Sequence, residues 1–169
     1  MIRYSSIMDY METRALEVLY IQYGTPFADF SVGHFQMKPS FAESIEADLL
    51  SSASRSVGSW PAGWSISDSS GVSLRTSRLL RLKSTEGQLW YLRAFMNLVH
   101  DLFPSWDTLS PEMQLRYYAT AYQGGYHREK EEIESAAQER YFFTGLPIAA
   151  IRYSYSDISA FYYRSCKCR

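Results

Sequence analysis

Gly33-His34-Phe35-Gln36-Met37-Lys38-Pro39-Ser40-Phe41-Ala42 is the stretch on which the reading of this chain turns. A glycine at 33 lets the backbone turn sharply or pass close to another group. Pro39 and Ser40 are residues of a helix start, and Phe41, Ala42, Ile45, Leu49 and Leu50 follow at helical spacing, which predicts a helix from Phe41 to about Ser52. Upstream, Tyr4, Ile7, Met8, Met11, Ala15, Leu16, Leu19 and Tyr23 keep a helical period, so a first helix is expected from about Ile2 to Tyr23. Gly24, Thr25 and Pro26 stop it, glycine suiting the residue after a helix and proline being unable to continue one. Residues 24–38 therefore read as an irregular loop held between two helices.

Downstream of that pair, residues 51–73 are rich in Ser and Gly and read as the longest loop. Trp60 and Trp64 within it either line a substrate groove or pin the loop to a core. Helical pattern returns at about Leu74–Lys83 and again at Glu86–Phe103, where Leu89, Leu92, Phe95, Met96, Val99 and Leu102 share a face. Ser110-Pro111-Glu112 is a capped helix start, and the helix it opens runs to about Gln123 before Gly124-Gly125. A further helix is expected over His127–Tyr141, and the aromatic-rich remainder to Arg169 carries no clear period. No repeat or linker interrupts the chain, so the expected fold class is mostly α, in a single domain of 169 residues.

Composition excludes several classes. With 17 basic and 18 acidic residues there is no basic stripe of the kind nucleic acid requires. No apolar run of membrane-spanning length occurs, and Arg3, Asp9, Glu12 and Arg14 interrupt any apolar leader. His34, His100 and His127 lack metal-ligand spacing, so no metal is expected; no cofactor is expected either. Cys166 and Cys168 form a C-x-C near the end that either binds a metal, cycles in redox state or lies in a frayed tail. The run His127-Arg128-Glu129-Lys130-Glu131-Glu132 reads as a solvated helix face with i,i+4 pairs.

Three ordered segments carry a resemblance: Ala15-Leu16-Glu17, the stretch from Gly33 to Ala42, and Ala119-Thr120-Ala121-Tyr122-Gln123-Gly124-Gly125. A fourth, weaker one is Gly87-Gln88-Leu89-Trp90-Tyr91-Leu92-Arg93. Their order and spacing resemble the lysozyme-like superfamily, in particular a lytic transglycosylase or goose-type lysozyme domain. In that family a helix ends near a catalytic Glu, a G-L-M-Q-x-x-P-x-x-A motif follows, and an A-A-Y-N-A-G motif comes later. Gly33, Gln36, Pro39 and Ala42 fit the first of these motifs, Glu17 lies sixteen residues before Gly33, and Ala121, Tyr122 and Gly125 fit the second. The likeness spans about residues 15–125.

The resemblance implies a lysozyme-like helical domain with a loop-rich active-site region. It implies a protein that acts on peptidoglycan glycan strands, cleaving the MurNAc-β-1,4-GlcNAc bond with Glu17 as acid and base. Gln36, Tyr122, Gly33 and Phe35 would bind substrate. The chemistry fits a carboxyl at a core edge: a glycoside-cleaving acid must keep its proton near neutral pH, and burial beside aromatic groups favours that. Asp29 is either a second carboxylate that activates water, as in a hydrolytic lysozyme, or a loop cap. Val18 stands where the family has Ser, Gln123 where it has Asn, and His34-Phe35 where it has Leu-Met. Those departures favour an alternative, a non-catalytic module on the same fold that grips glycan or a partner protein. An enzyme of this class would be periplasmic or directed to the bacterial cell wall. It would be released by a lysis system or carried by a secretion or phage machine, unless the N-terminus extends upstream.

Overall fold

A computed structural model of the chain describes residues 3–51, 71–139, 142–143 and 152–167. Trp60, Trp64 and Cys168 lie outside those residues. The described residues are mostly helical and gather into two compact units, Met1–Leu98 and Val99–Arg169, each taken by itself below.

The first unit contains α1 (Arg3–Tyr23), α2 (Pro39–Ser51), α3 (Gly71–Lys83) and most of α4 (Thr85–Leu102). The stop after Tyr23 falls where the sequence placed it. Gly24 donates its N–H to the Tyr20 carbonyl at 2.8 Å, and Arg75 of α3 then caps the last turn, its Nε 2.7 Å from the Ile21 carbonyl and an Nη 2.9 Å from that of Gln22. A cation there satisfies carbonyls that have no helical partner and meets the negative end of the helix dipole. The same bonds fasten α1 to α3.

α2 starts at Pro39, two residues ahead of the expected Phe41, because the loop supplies its cap. Asp29 accepts from the Ser40 backbone N–H at 3.0 Å and from the Ser40 hydroxyl at 2.8 Å. A carboxylate at a helix N-terminus both pairs an orphan N–H and suits the dipole. At α4 a neutral hydroxyl supplies the bond alone, Ser84 accepting from the Gly87 N–H at 3.0 Å.

The core of this unit is Tyr20, Val32, Met37, Ala42, Ile45, Leu79, Leu82, Tyr91, Ala94, Phe95 and Leu98. An ionic group is buried inside it. Arg78 donates to Glu46 through Nε at 2.9 Å, and through one Nη to both the Tyr20 hydroxyl and Glu43 at 2.8 Å. Tyr91 donates to the other Glu46 oxygen, Arg81 pairs with it at 3.5 Å, and Thr25 donates to Glu43 at 3.2 Å. Buried charges persist only when paired and hydrogen-bonded in this way.

The second unit contains the end of α4, a 3-10 turn Pro104–Thr108, α5 (Pro111–Gly124), α6 (Lys130–Ala136), β1 (Phe142–Phe143), β2 (Arg152–Tyr153) and α7 (Tyr155–Lys167). Ser110 caps α5 by accepting from Met113 N–H, and Pro111 occupies the first turn, as the local pattern predicts. β1 and β2 pair antiparallel, Phe142 opposite Tyr153 and Phe143 opposite Arg152. The helix expected over His127–Tyr141 is shorter than predicted: it begins at Lys130, and i→i+3 bonds from Gln138 and Glu139 tighten the chain out of it. The aromatic-rich remainder contains α7, which packs on α5 with Arg116 donating to Asp157 at 2.7 Å, buries Ser156 and Ala160, and places Cys166 on an exposed helical position. Among the described residues, no helix is long and apolar enough to cross a membrane.

Candidate functional site

Glu17 lies in the last two turns of α1, on the side that faces the core, with its side chain 10% exposed. Its surroundings differ from the apolar, aromatic setting expected for a proton donor. Oε2 accepts from Arg14, one turn earlier, at 3.0 Å, and Oε1 accepts from Lys83 at the end of α3 at 2.7 Å. The neighbouring Tyr20 is turned away to Glu43 and Arg78. Burial pushes the Tyr20 hydroxyl far above the ordinary tyrosine value of 10.0, so it stays protonated and acts as a donor.

The turn over residues 33–36 is pinned at its base by Val32 and Met37, which exchange backbone bonds at 2.9 and 3.0 Å. Both residues are buried, while His34, Phe35 and Gln36 stand out from the surface. Gly33 has φ +70°, and a Cβ there would land on the side-chain amide of Gln88. The site therefore needs glycine twice over, for backbone conformation and for room.

Gln36 also has positive φ, +52°, which is costly for a residue with a side chain. Its amide folds back to donate to the Gly33 carbonyl at 2.8 Å. Among the described residues, Gln36 is the one non-glycine position in the left-handed region.

Gln88 is the residue that seats the turn. It is fully buried at the start of α4. Its Oε1 accepts from the Phe35 N–H at 2.8 Å, and its Nε2 donates to the Leu82 carbonyl at 2.5 Å. The preceding Gly87 is equally constrained, since a Cβ there would strike the Arg81 carbonyl. Leu82 is next to Lys83, the partner of Glu17. One corner of the first unit, residues 82–88, thus anchors both the Glu17 carboxylate and the 33–36 turn. The first and second quoted segments are each bonded to that corner, and the fourth begins in it.

Asp29 takes the capping arrangement, both oxygens engaged by Ser40, with Lys38 at 3.8 Å. Tyr122, of the third segment, belongs to the second unit. It lies on the last turns of α5, half-buried, and burial pushes its hydroxyl up to about 12. Sequence reasoning gave Glu17 neither partner: Arg14 stands at i−3, a spacing that pairs helix charges but went unread, and Lys83 lies 66 residues away, where no local spacing points. Among the described residues, no cluster of His, Cys, Asp and Glu is arranged to hold a metal ion.

No protein-family model, no curated protein and no solved structure matches this chain. The likeness to lysozyme-like domains rests on the quoted segments alone.

Proposed function

We propose that the first unit takes peptidoglycan-type glycan strands and cleaves the MurNAc-β-1,4-GlcNAc bond, with Glu17 as acid and then base. The observation that supports this reading is the shared corner: Glu17 and the strained, exposed 33–36 turn are both fastened to residues 82–88. Strained backbone kept at an exposed turn is a mark of functional sites.

In the reaction, the Glu17 carboxyl gives its proton to the glycosidic oxygen as the C1–O bond breaks. The muramyl 6-hydroxyl then bonds to C1 while its proton returns to Glu17, giving a 1,6-anhydro end. One carboxyl suffices because the substrate supplies the nucleophile. The hydrolytic version would need a second carboxylate, and Asp29 is committed to Ser40. For Glu17 to act, Arg14 and Lys83 must release it. Their side chains are 55% and 38% exposed, so each cation can turn out to water, while the carboxylate it leaves is 10% exposed and must find another partner in the bound strand.

The ion pairs, with Val18, favour a second reading in which the unit binds strands without cutting them. One experiment separates the two. Purified peptidoglycan is incubated with the protein and with Glu17→Gln, and bound protein and released fragments are measured, the fragments by mass spectrometry. The cleavage reading expects anhydro fragments from the wild type and binding without release from the variant. Binding without release by both proteins supports the second reading, and binding by neither removes both.

A further inference from the structure

Lys83 is not the only tie between α1 and α3. That contact is already secured by Arg75 on the Ile21 and Gln22 carbonyls and by Arg78 on Tyr20. The fixed ties use arginine, whose planar fork holds several acceptors in one geometry. At Glu17 the cation from α3 is instead a lysine, a point charge on a flexible stem that exchanges partners easily. It ends α3, where a cation is favoured by the helix dipole whether or not Glu17 is its partner. Its ammonium has three donors, and Glu17 Oε1 takes one of them at 2.7 Å. Its side chain is 38% exposed, while that of Glu17 is 10% exposed, so an incoming ligand reaches the ammonium more readily than the carboxylate beneath it.

We propose that Lys83 reads an anionic substituent on the glycan, and that this substituent draws the ammonium off Glu17. The inference rests on the glycan reading above and assigns the residue that tells its strand, with carboxylates on the lactyl ether or its peptide, from a neutral N-acetylglucosamine polymer. The bound carboxylate takes over the Lys83 ammonium, and Glu17 Oε1 is left without its lysine partner. Lys83 is a positioning residue in this scheme, and it sets specificity through charge.

The test compares wild type, Lys83→Met and Lys83→Arg on two ligands, soluble glycan strands carrying peptide stems and a neutral N-acetylglucosamine hexamer. Binding is followed by calorimetry at low and high salt, and folding by the thermal midpoint. The wild type is expected to prefer the anionic strand by about tenfold, a preference that shrinks with salt. Lys83→Met should bring the ratio near one while keeping the hexamer affinity and the midpoint, and Lys83→Arg should keep most of the preference. A Lys83→Met variant with undiminished preference overturns the proposal. Equal wild-type binding to both ligands overturns it while leaving the glycan reading standing. Wild-type binding to neither ligand removes the glycan reading itself.

Discussion

Arg78 in the first unit and Trp106 in the second are both nearly inaccessible to water, and they are held by opposite means. Arg78 sits among charges: Glu46 and Glu43 accept from it, Tyr20 and Tyr91 complete the group, and Arg81 stands alongside. Trp106 sits among rings. Phe103 stacks on it with centroids 4.5 Å apart, Tyr117 and Tyr118 lie at 5.1 and 6.0 Å, and one polar bond, from Nε1 to Glu134 at 2.8 Å, leads outward. Among the described residues of the second unit, the buried polar side chains are the hydroxyls of Thr120, Ser154 and Ser156. A buried ionic group adds little net stability, yet its members cannot be removed singly, because each leaves a charge without its counterpart. Ring packing is directional but forgiving, since a smaller ring leaves a gap and no orphaned charge. The first unit should therefore be brittle to point changes in its polar interior and the second tolerant of them.

The largest effect is expected from Arg78→Met. It removes the partner of Glu46 while keeping much of the volume, and should cost about 3–5 kcal/mol of unfolding free energy in a urea titration. A loss below about 1 kcal/mol would break the comparison, for it would show Glu46 content with Tyr91 and Arg81.

Trp106→Phe should cost less, about 2 kcal/mol, by losing the bond to Glu134 and part of one ring. Combining it with Glu134→Ala, which leaves the indole N–H no acceptor, should add little, since the two changes remove the same bond. Additive losses in that cycle would show that Glu134 matters for another reason.

The smallest effect is absent at neutral pH. Burial raises the hydroxyls of Tyr20 and Tyr91 well above 10.0, with Glu46 adding to the effect at Tyr91. The unfolded chain gives up those protons near pH 10, the folded chain only at higher pH. Their contribution to stability is thus complete below about pH 10 and is lost as pH climbs toward the folded values. The urea midpoint should begin to fall above about pH 10, with tyrosinate absorbance from these two residues arriving only as the fold opens. Their full titration in a still-folded protein would show that the ionic core is wetter than its geometry indicates.

Five of the helices were legible because apolar period and breakers agreed. Gly24-Thr25-Pro26 ends α1, Ser110-Pro111 opens α5, and α3 and α4 stand near their expected ranges. α7 was not legible because its pattern is inverted. Small Ser156 and Ala160 face the core, while Tyr155, Ile158, Phe161 and Tyr162 remain exposed, so the apolar residues mark the outer side. α6 was read too long because Arg128 and Glu132 form the expected i,i+4 pair at 3.2 Å although the helix begins only at Lys130. At the candidate site, the need for glycine at 33 was readable, and so was the capping use of Asp29, which Ser40 takes up. The Lys83–Glu17 pair joins residues 66 apart, and the Gln88–Phe35 bond spans 53, so nothing local pointed to either.

Gln88 carries a consequence for descent. Its amide must accept from Phe35 and donate to Leu82 at once, which neither an ionised Glu nor a Leu can do. It fits only because positions 33 and 87 have no side chain to meet it or the α3 terminus. Selection therefore sees Gly33, Gly87 and Gln88 as a single heritable character, although 54 positions separate the two glycines. Drift at one of the three should be rare without compensation at another. A distant relative whose surface has changed beyond recognition should still betray its kinship by carrying that triplet intact.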